Sequence, residues 1–306
     1  MVSHSSAVPS RLIHAILHTV AYADIFDYPL TVEEIHRYLT GIRAPLELVY
    51  ESLQNNNLTP ALLQRTNQYY TLPGRAGIVM TRQQRERVAS RLWPHALRYG
   101  RLIAMLPFVR MVAVTGSLAM NNSDVNGDID YLIVTAPGRL WMCRLLALAV
   151  VRLASFQHVR LCPNYFISER VLEFPDHTLY AAHEFAQMAP VAGMDVYRQM
   201  QASNAWVRTF LPNVDGGPAI EREIPTIGTA YRLRALLEAI LFTRLGGWIE
   251  HWEMERKIRK LSRQRDMNPE AQFTADFCKG HFNRHAQRTD RIMDERLHHL
   301  ALELEK

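Results

Sequence analysis

The sequence predicts an α+β fold, helical at both ends around a small mixed sheet. Three observations carry that expectation. Helical periodicity dominates Arg11–Asn55 and again everything after Asp176. Between them, β-branched runs at Arg110–Thr115 and Ile129–Thr135 read as strands. An apolar helix at Arg139–Phe156 and a third extended run at Val159–Ile167 follow, an α/β order.

The elements follow in chain order. Arg11–Ile25 is a helix, broken at Tyr28-Pro29-Leu30-Thr31. Thr31 with Glu34 forms a capping box that opens a short helix over Val32–Leu39. A third helix starts after Pro45 and runs over Leu46–Asn55. Leu62–Arg65 and Tyr69–Leu72, separated by Thr66-Asn67-Gln68, read as a hairpin. Gly77–Met105 is one long arginine-rich helix that Pro94 should kink or split. Pro163 suggests an edge position or a bulge in the third strand. Four helices are expected beyond it, at His177–Met188, Met194–Phe210, Thr229–Arg263 and Ala271–Glu305. Domain boundaries fall at 1–76, 77–175 and 176–306.

Composition bounds the function. The chain has 306 residues, 48% of them hydrophobic and 21% charged in mixed order, which suits packed domains and not disorder. The net charge is +5, carried mostly by arginine, and is spread too thinly to imply nucleic acid by itself. Three scattered cysteines, Cys143, Cys162 and Cys278, argue for a reducing compartment. The N-terminus lacks a signal-peptide pattern, and arginines interrupt the most apolar runs, so a cytoplasmic protein with no membrane span is expected.

The chemistry concentrates in Val112-Ala113-Val114-Thr115-Gly116-Ser117, then ten residues, then Asp128-Ile129-Asp130-Tyr131-Leu132-Ile133-Val134. Alternate strand residues share a face, so Asp128 and Asp130 aim two carboxylates at one spot. Their repulsion calls for a cation, and Mg²⁺ is usual beside phosphates. Gly116 lets the backbone approach a ligand closely, and Ser117 adds a donor at a helix start that suits phosphate.

This pattern resembles the polymerase-beta-like nucleotidyltransferase superfamily over roughly Gly77–Arg170: an apolar strand, Gly-Ser, a spacer, then Asp-x-Asp among apolar residues. The resemblance implies a nucleoside triphosphate bound at Gly116 and Ser117, with Mg²⁺ or Mn²⁺ held by Asp128 and Asp130. The family's third carboxylate falls on the strand Arg160–Ile167, where Asn164 is the counterpart. Asn164 can coordinate through its carbonyl but cannot serve as a general base. Glu169 and Asp176 are the nearby acids that could substitute. The N-terminal segment resembles a winged helix-turn-helix by element order, but its third helix carries Glu47 and Glu51 and no arginine, a poor match to a DNA groove. It could instead pack on the rest of the chain or on a partner protein.

The resulting expectation is a Mg-dependent enzyme moving a nucleotidyl group to an acceptor hydroxyl on RNA, protein or a small molecule. The alternative is a DNA-binding regulator with a degenerate, nucleotide-sensing domain. Asn122–Asp130 resembles the start of a calcium loop, but Ile133 stands where a bidentate Glu is needed. Cys278, His281 and His285 have zinc-like spacing for one helix without a fourth ligand. Lys279-Gly280-His281 is a candidate substrate contact. His183-Glu184 starts a zinc-protease-like pattern that Gln187 breaks. Trp141 and Tyr165 could stack on a base or pack in the core.

Overall fold

The computed structural model describes residues 10–54, 58, 62–215, 228–265, 272–280, 289, 291–293 and 295–296. It is a mixed α+β structure around a six-stranded sheet. No helix among the described residues is long and apolar enough to cross a membrane.

The N-terminal unit comprises α1 (Ser10–Asp24), α2 (Val32–Arg37), α3 (Leu46–Leu53) and a hairpin of β1 (Gln64–Thr66) and β2 (Tyr69–Thr71). Asn67 takes the left-handed conformation that a tight two-residue turn requires, at φ 56°. Both hydrogen bonds of the Thr31–Glu34 capping box are present. Leu12, Ile16, Val20, Ile35, Val49, Leu53 and Tyr70 form the unit's own core.

Arg82 ties this unit to α4 (Ile78–Ala104). Its guanidinium donates to both Glu34 oxygens, at 2.6 and 2.8 Å, and to Glu86 at 2.8 Å. It also lies 4.2 Å over the Tyr28 ring and 4.7 Å over Tyr69. So Arg82 belongs to the packed interior and not to a solvated face. α4 runs unbroken through Pro94, although proline offers no N–H to the preceding turn.

The sheet order is β6-β3-β4-β5-β8-β7. Its members are β3 (Val109–Thr115), β4 (Ile129–Thr135), β5 (Leu161–Ser168), β6 (Ala189–Ala192), β7 (Gln272–Phe273) and β8 (Phe277–Lys279). β4 and β5 are parallel, joined through α6 (Leu140–Ser155), and the other pairings are antiparallel. Pro163 sits in a bulge: Asp130 faces Cys162 and Leu132 faces Tyr165, leaving Pro163 and Asn164 opposite Tyr131. The bulge resets the alternation, so Leu161 and Phe166 pack on one side of the sheet and Tyr165 and Ile167 on the other.

The region after Asp176 is less helical than its periodicity suggests. α7 (Leu179–Gln187) gives way to the edge strand β6, which periodicity misses because it is four residues long and contains Pro190. An edge strand tolerates that missing N–H. The span Met194–Phe210 divides into α8 (Met194–Ser203) and α9 (Val207–Phe210). Between them Asn204 turns its side chain to the Leu172 and Met200 carbonyls and the Phe174 N–H. Thr229–Arg263 likewise divides into α10 (Gly228–Leu241) and α11 (Arg244–Arg265). Ala271–Glu305 opens with β7 and β8 instead of a helix, and most of its remainder lies outside the described residues. A boundary at 175/176 therefore cuts across the sheet, which takes strands from both sides of it.

One sheet face packs on α4 and α6, with Ile129, Tyr131 and Ile133 pointing that way. Glu250 of α11 closes the start of α6 by accepting from the Trp141 and Met142 N–H groups, at 2.9 and 2.7 Å. The opposite face carries Leu132 and Val134 against α7, α8 and α9, with Tyr38 of the N-terminal unit in the same cluster.

Candidate functional site

The site lies where β3 ends and β4 begins, on the face turned toward α7 and α1. Thr115 pairs with Asp130, so the chain leaves β3 directly beside the second aspartate. Gly116 has φ +65°, and a Cβ there would stand 2.6 Å from Asp130 Oδ2. Glycine at this position is a backbone and packing requirement at once. α5 (Gly116–Ala119) is a single turn, and Ser117 Oγ lies 3.5 Å from Ser123 Oγ.

Asp128, Asp130 and Cys162 bring one ligand atom each to within 4.8 Å of one another. Cys162 stands across the parallel pair from Asp130. Asn164 Nδ2 donates to Asp130 Oδ1 at 3.2 Å, while Asn164 Oδ1 is buried without a hydrogen-bond partner. Burial first, then the Asp128 and Glu184 charges, push the Asp130 carboxyl up to about 7. Burial likewise raises the Cys162 thiol to about 12, with Asp130 and Asp128 adding to it. Crowded carboxylates, a buried acceptor without a donor and a backbone cradle fit a divalent cation. The thiol is a softer donor than Mg²⁺ or Mn²⁺ prefers, so the oxygen donors of Asp128, Asp130 and Asn164 carry the fit to those ions.

These residues form one end of a cavity of about 550 Å³. Gly116, Ser117, Asp128, Asp130 and Asn164, all expected from the sequence, line it together. Glu169 and Asp176 do not: Glu169 lies 3.7 Å from Arg110, and Asp176 accepts from Lys279 at 2.8 Å. The acid that does face the cavity is Glu184 on α7, whose carboxyl burial pushes up to about 7. No strand pattern could reveal it, because it reaches the site through the packing of a helix. Cys162 was legible in principle, since it lies two residues from Asn164 on the same strand.

The other cavity wall comes from the N-terminal unit, through Tyr22, Phe26, Tyr28 and Tyr38. Tyr22 stacks on His183 with ring centroids 4.0 Å apart. The unit thus packs over the site, the intramolecular alternative to DNA binding. Its α3 exposes Leu46, Glu47, Tyr50 and Glu51. Arg85 marks the rim, donating to Asp124 at 2.8 Å and to the Phe26 carbonyl at 3.1 Å.

Other sequence candidates lie elsewhere. Trp141 is fully buried and donates to the Thr274 carbonyl at 2.9 Å, and Tyr165 packs edge-on against Phe174 and Phe277. Both are core residues. Ile133 lies within β4, so the calcium loop lacks its closing helix. Cys278 is a buried residue of β8, not of a helix, while His281 and His285 fall outside the described residues. Gly280 lines the cavity, and its N–H donates to the Asn164 carbonyl at 3.0 Å.

Comparison with family models, curated proteins and solved structures finds no match.

Proposed function

We propose that the protein is a metal-dependent nucleotidyltransferase. The observation that carries this reading is the placement of Asp128 and Asp130 at one cavity end, beside the left-handed glycine turn at Gly116. A divalent cation there would neutralise phosphate charge and align the attacking and leaving oxygens. Asp128 and Asp130 would hold it, with Asn164 Oδ1 and Cys162 Sγ as the neighbouring donors. Gly116 lets the triphosphate approach the backbone, Ser117 donates a hydroxyl to it, and Arg85 stands at the rim to meet its outer charge.

In the transfer, the acceptor oxygen bonds to the α-phosphorus. The bond from that phosphorus to the bridging oxygen breaks, pyrophosphate leaves and the hydroxyl proton passes to water. Phosphoryl-type transfer runs through a loose transition state and depends mainly on positioning and charge stabilisation. Asn164 in place of a third carboxylate is compatible with that chemistry. The regulator alternative gains nothing from the N-terminal unit, whose candidate recognition helix exposes acids and whose aromatic residues face the cavity.

The test is transfer of label from α-labelled triphosphates in Mg²⁺ or Mn²⁺. Asp128→Ala with Asp130→Ala is expected to abolish it while the fold persists. Equal transfer by this variant and the wild type refutes the assignment.

A further inference from the structure

α7 has an unusual face. Tyr180, His183, Glu184 and Gln187 recur at the spacing of one helical stripe, and all four line the cavity. The rest of the helix, Ala181, Ala182, Phe185 and Ala186, is buried in apolar packing. A helix normally turns its polar stripe to solvent, whereas this one turns it inward onto the cavity. His183 is only 5% exposed, and its Nε2 has no hydrogen-bond partner.

The charges around this stripe do not cancel. Among the described residues lining the cavity are the carboxylates of Asp128, Asp130 and Glu184 and no lysine or arginine. A divalent cation answers the first two. The cation nearest Glu184 is Lys279, which already pairs with Asp176 at 2.8 Å. Glu184 therefore has no ion pair of its own among the described residues; burial pushes its carboxyl up to about 7, and a bound cation would favour its charged form. Facing Glu184 is the wall of Tyr22, Phe26, Tyr28 and Tyr38, the kind of surface that attracts an organic cation. A nucleic-acid acceptor needs the opposite, a basic track for its phosphates.

We infer that the α7 side of the cavity binds a small hydroxylated amine as the acceptor, its ammonium on Glu184 between the tyrosines and a hydroxyl on His183 Nε2. The acceptor role rests on the nucleotidyltransferase reading; the binding itself does not. A neutral imidazole suits a hydroxyl, which can donate or accept, and burial holds the His183 ring neutral, at about 3. The volume of about 550 Å³ suits a small molecule.

Binding is measured by ligand-observed NMR on the full chain, without triphosphate, with and without Mn²⁺. Two matched series separate the amine from the hydroxyls: glucosamine against glucose and N-acetylglucosamine, and 1,3-diamino-2-propanol against glycerol. The amines are expected to bind at least about tenfold more tightly than their neutral partners, a difference of about 1.4 kcal/mol. Glu184→Gln, which keeps the side-chain shape, should erase that preference, and Asp128→Asn should preserve it. Equal binding of amines and neutral partners, or an unchanged preference in Glu184→Gln, overturns the inference. So does competition by Mn²⁺, which places the amine at the aspartates, or by adenosine, which gives the aromatic wall to a nucleobase. Label transfer lost in the aspartate variants with amine binding absent in the wild type would retain the transferase reading and reject this one.

Discussion

Gly116→Ala places a methyl group where the Asp130 carboxylate stands. Two separable costs follow. The first is conformational: at φ +65° an L-residue with a Cβ loses about 1–2 kcal/mol. The second is steric: the new Cβ would lie 2.6 Å from Asp130 Oδ2, so the carboxylate must rotate off its position and off Asn164. Gly138 provides the control, because it has φ +66° and nothing within 4 Å of a built Cβ. Gly138→Ala should lose only the conformational cost in urea melts, on the order of 1–2 kcal/mol, and Gly116→Ala at least that much. Gly116→Ala alone should weaken Mn²⁺ binding, by about 10–100-fold, the usual effect of disturbing the support of a ligand. Titration calorimetry with Mn²⁺ on both variants reads the difference. If Gly116→Ala binds Mn²⁺ like Gly138→Ala, the cradle around Asp130 is not part of a metal site and the reasoning fails.

Two further outcomes follow from the same geometry. Asp130 holds its proton up to about 7 in the folded protein, against 3.8 for the unperturbed group, so the folded state binds more protons between these values and stability without metal must fall as pH rises from about 4 to about 7. Asp130→Asn should therefore be more stable than wild type at pH 8 in EDTA, with the gap shrinking at pH 5, and saturating Mn²⁺ should reverse the order; a gap independent of pH counts against the burial account. Arg82→Ala strands Glu34 and uncovers Tyr28 and Tyr69, and breaking a buried ion pair of this kind costs about 3–5 kcal/mol in chemical denaturation. A loss below about 1 kcal/mol would mean that the N-terminal unit is held to α4 by other contacts.

Local chemistry along the chain determined a good part of this protein. The capping box at Thr31 and Glu34, the turn at Asn67, the strands on either side of Gly116 and the paired aspartates are all written within a few residues of one another. Each follows from backbone and side-chain preferences that need no distant partner. The bulge at Pro163 belongs here too, because a proline without an N–H cannot continue a regular ladder. What only the tertiary structure decided involves residues far apart in sequence. The strands Ala189–Ala192 and Phe277–Lys279 are too short to announce themselves and exist because sheet edges await them. Glu184 enters the site through helix packing, 54 residues from Asp130, and Tyr22 and Tyr38 reach it from the other end of the chain. The sequence placed two carboxylates at the start of one strand. The fold decided what they face, by closing an aromatic wall and an inward polar helix stripe over them.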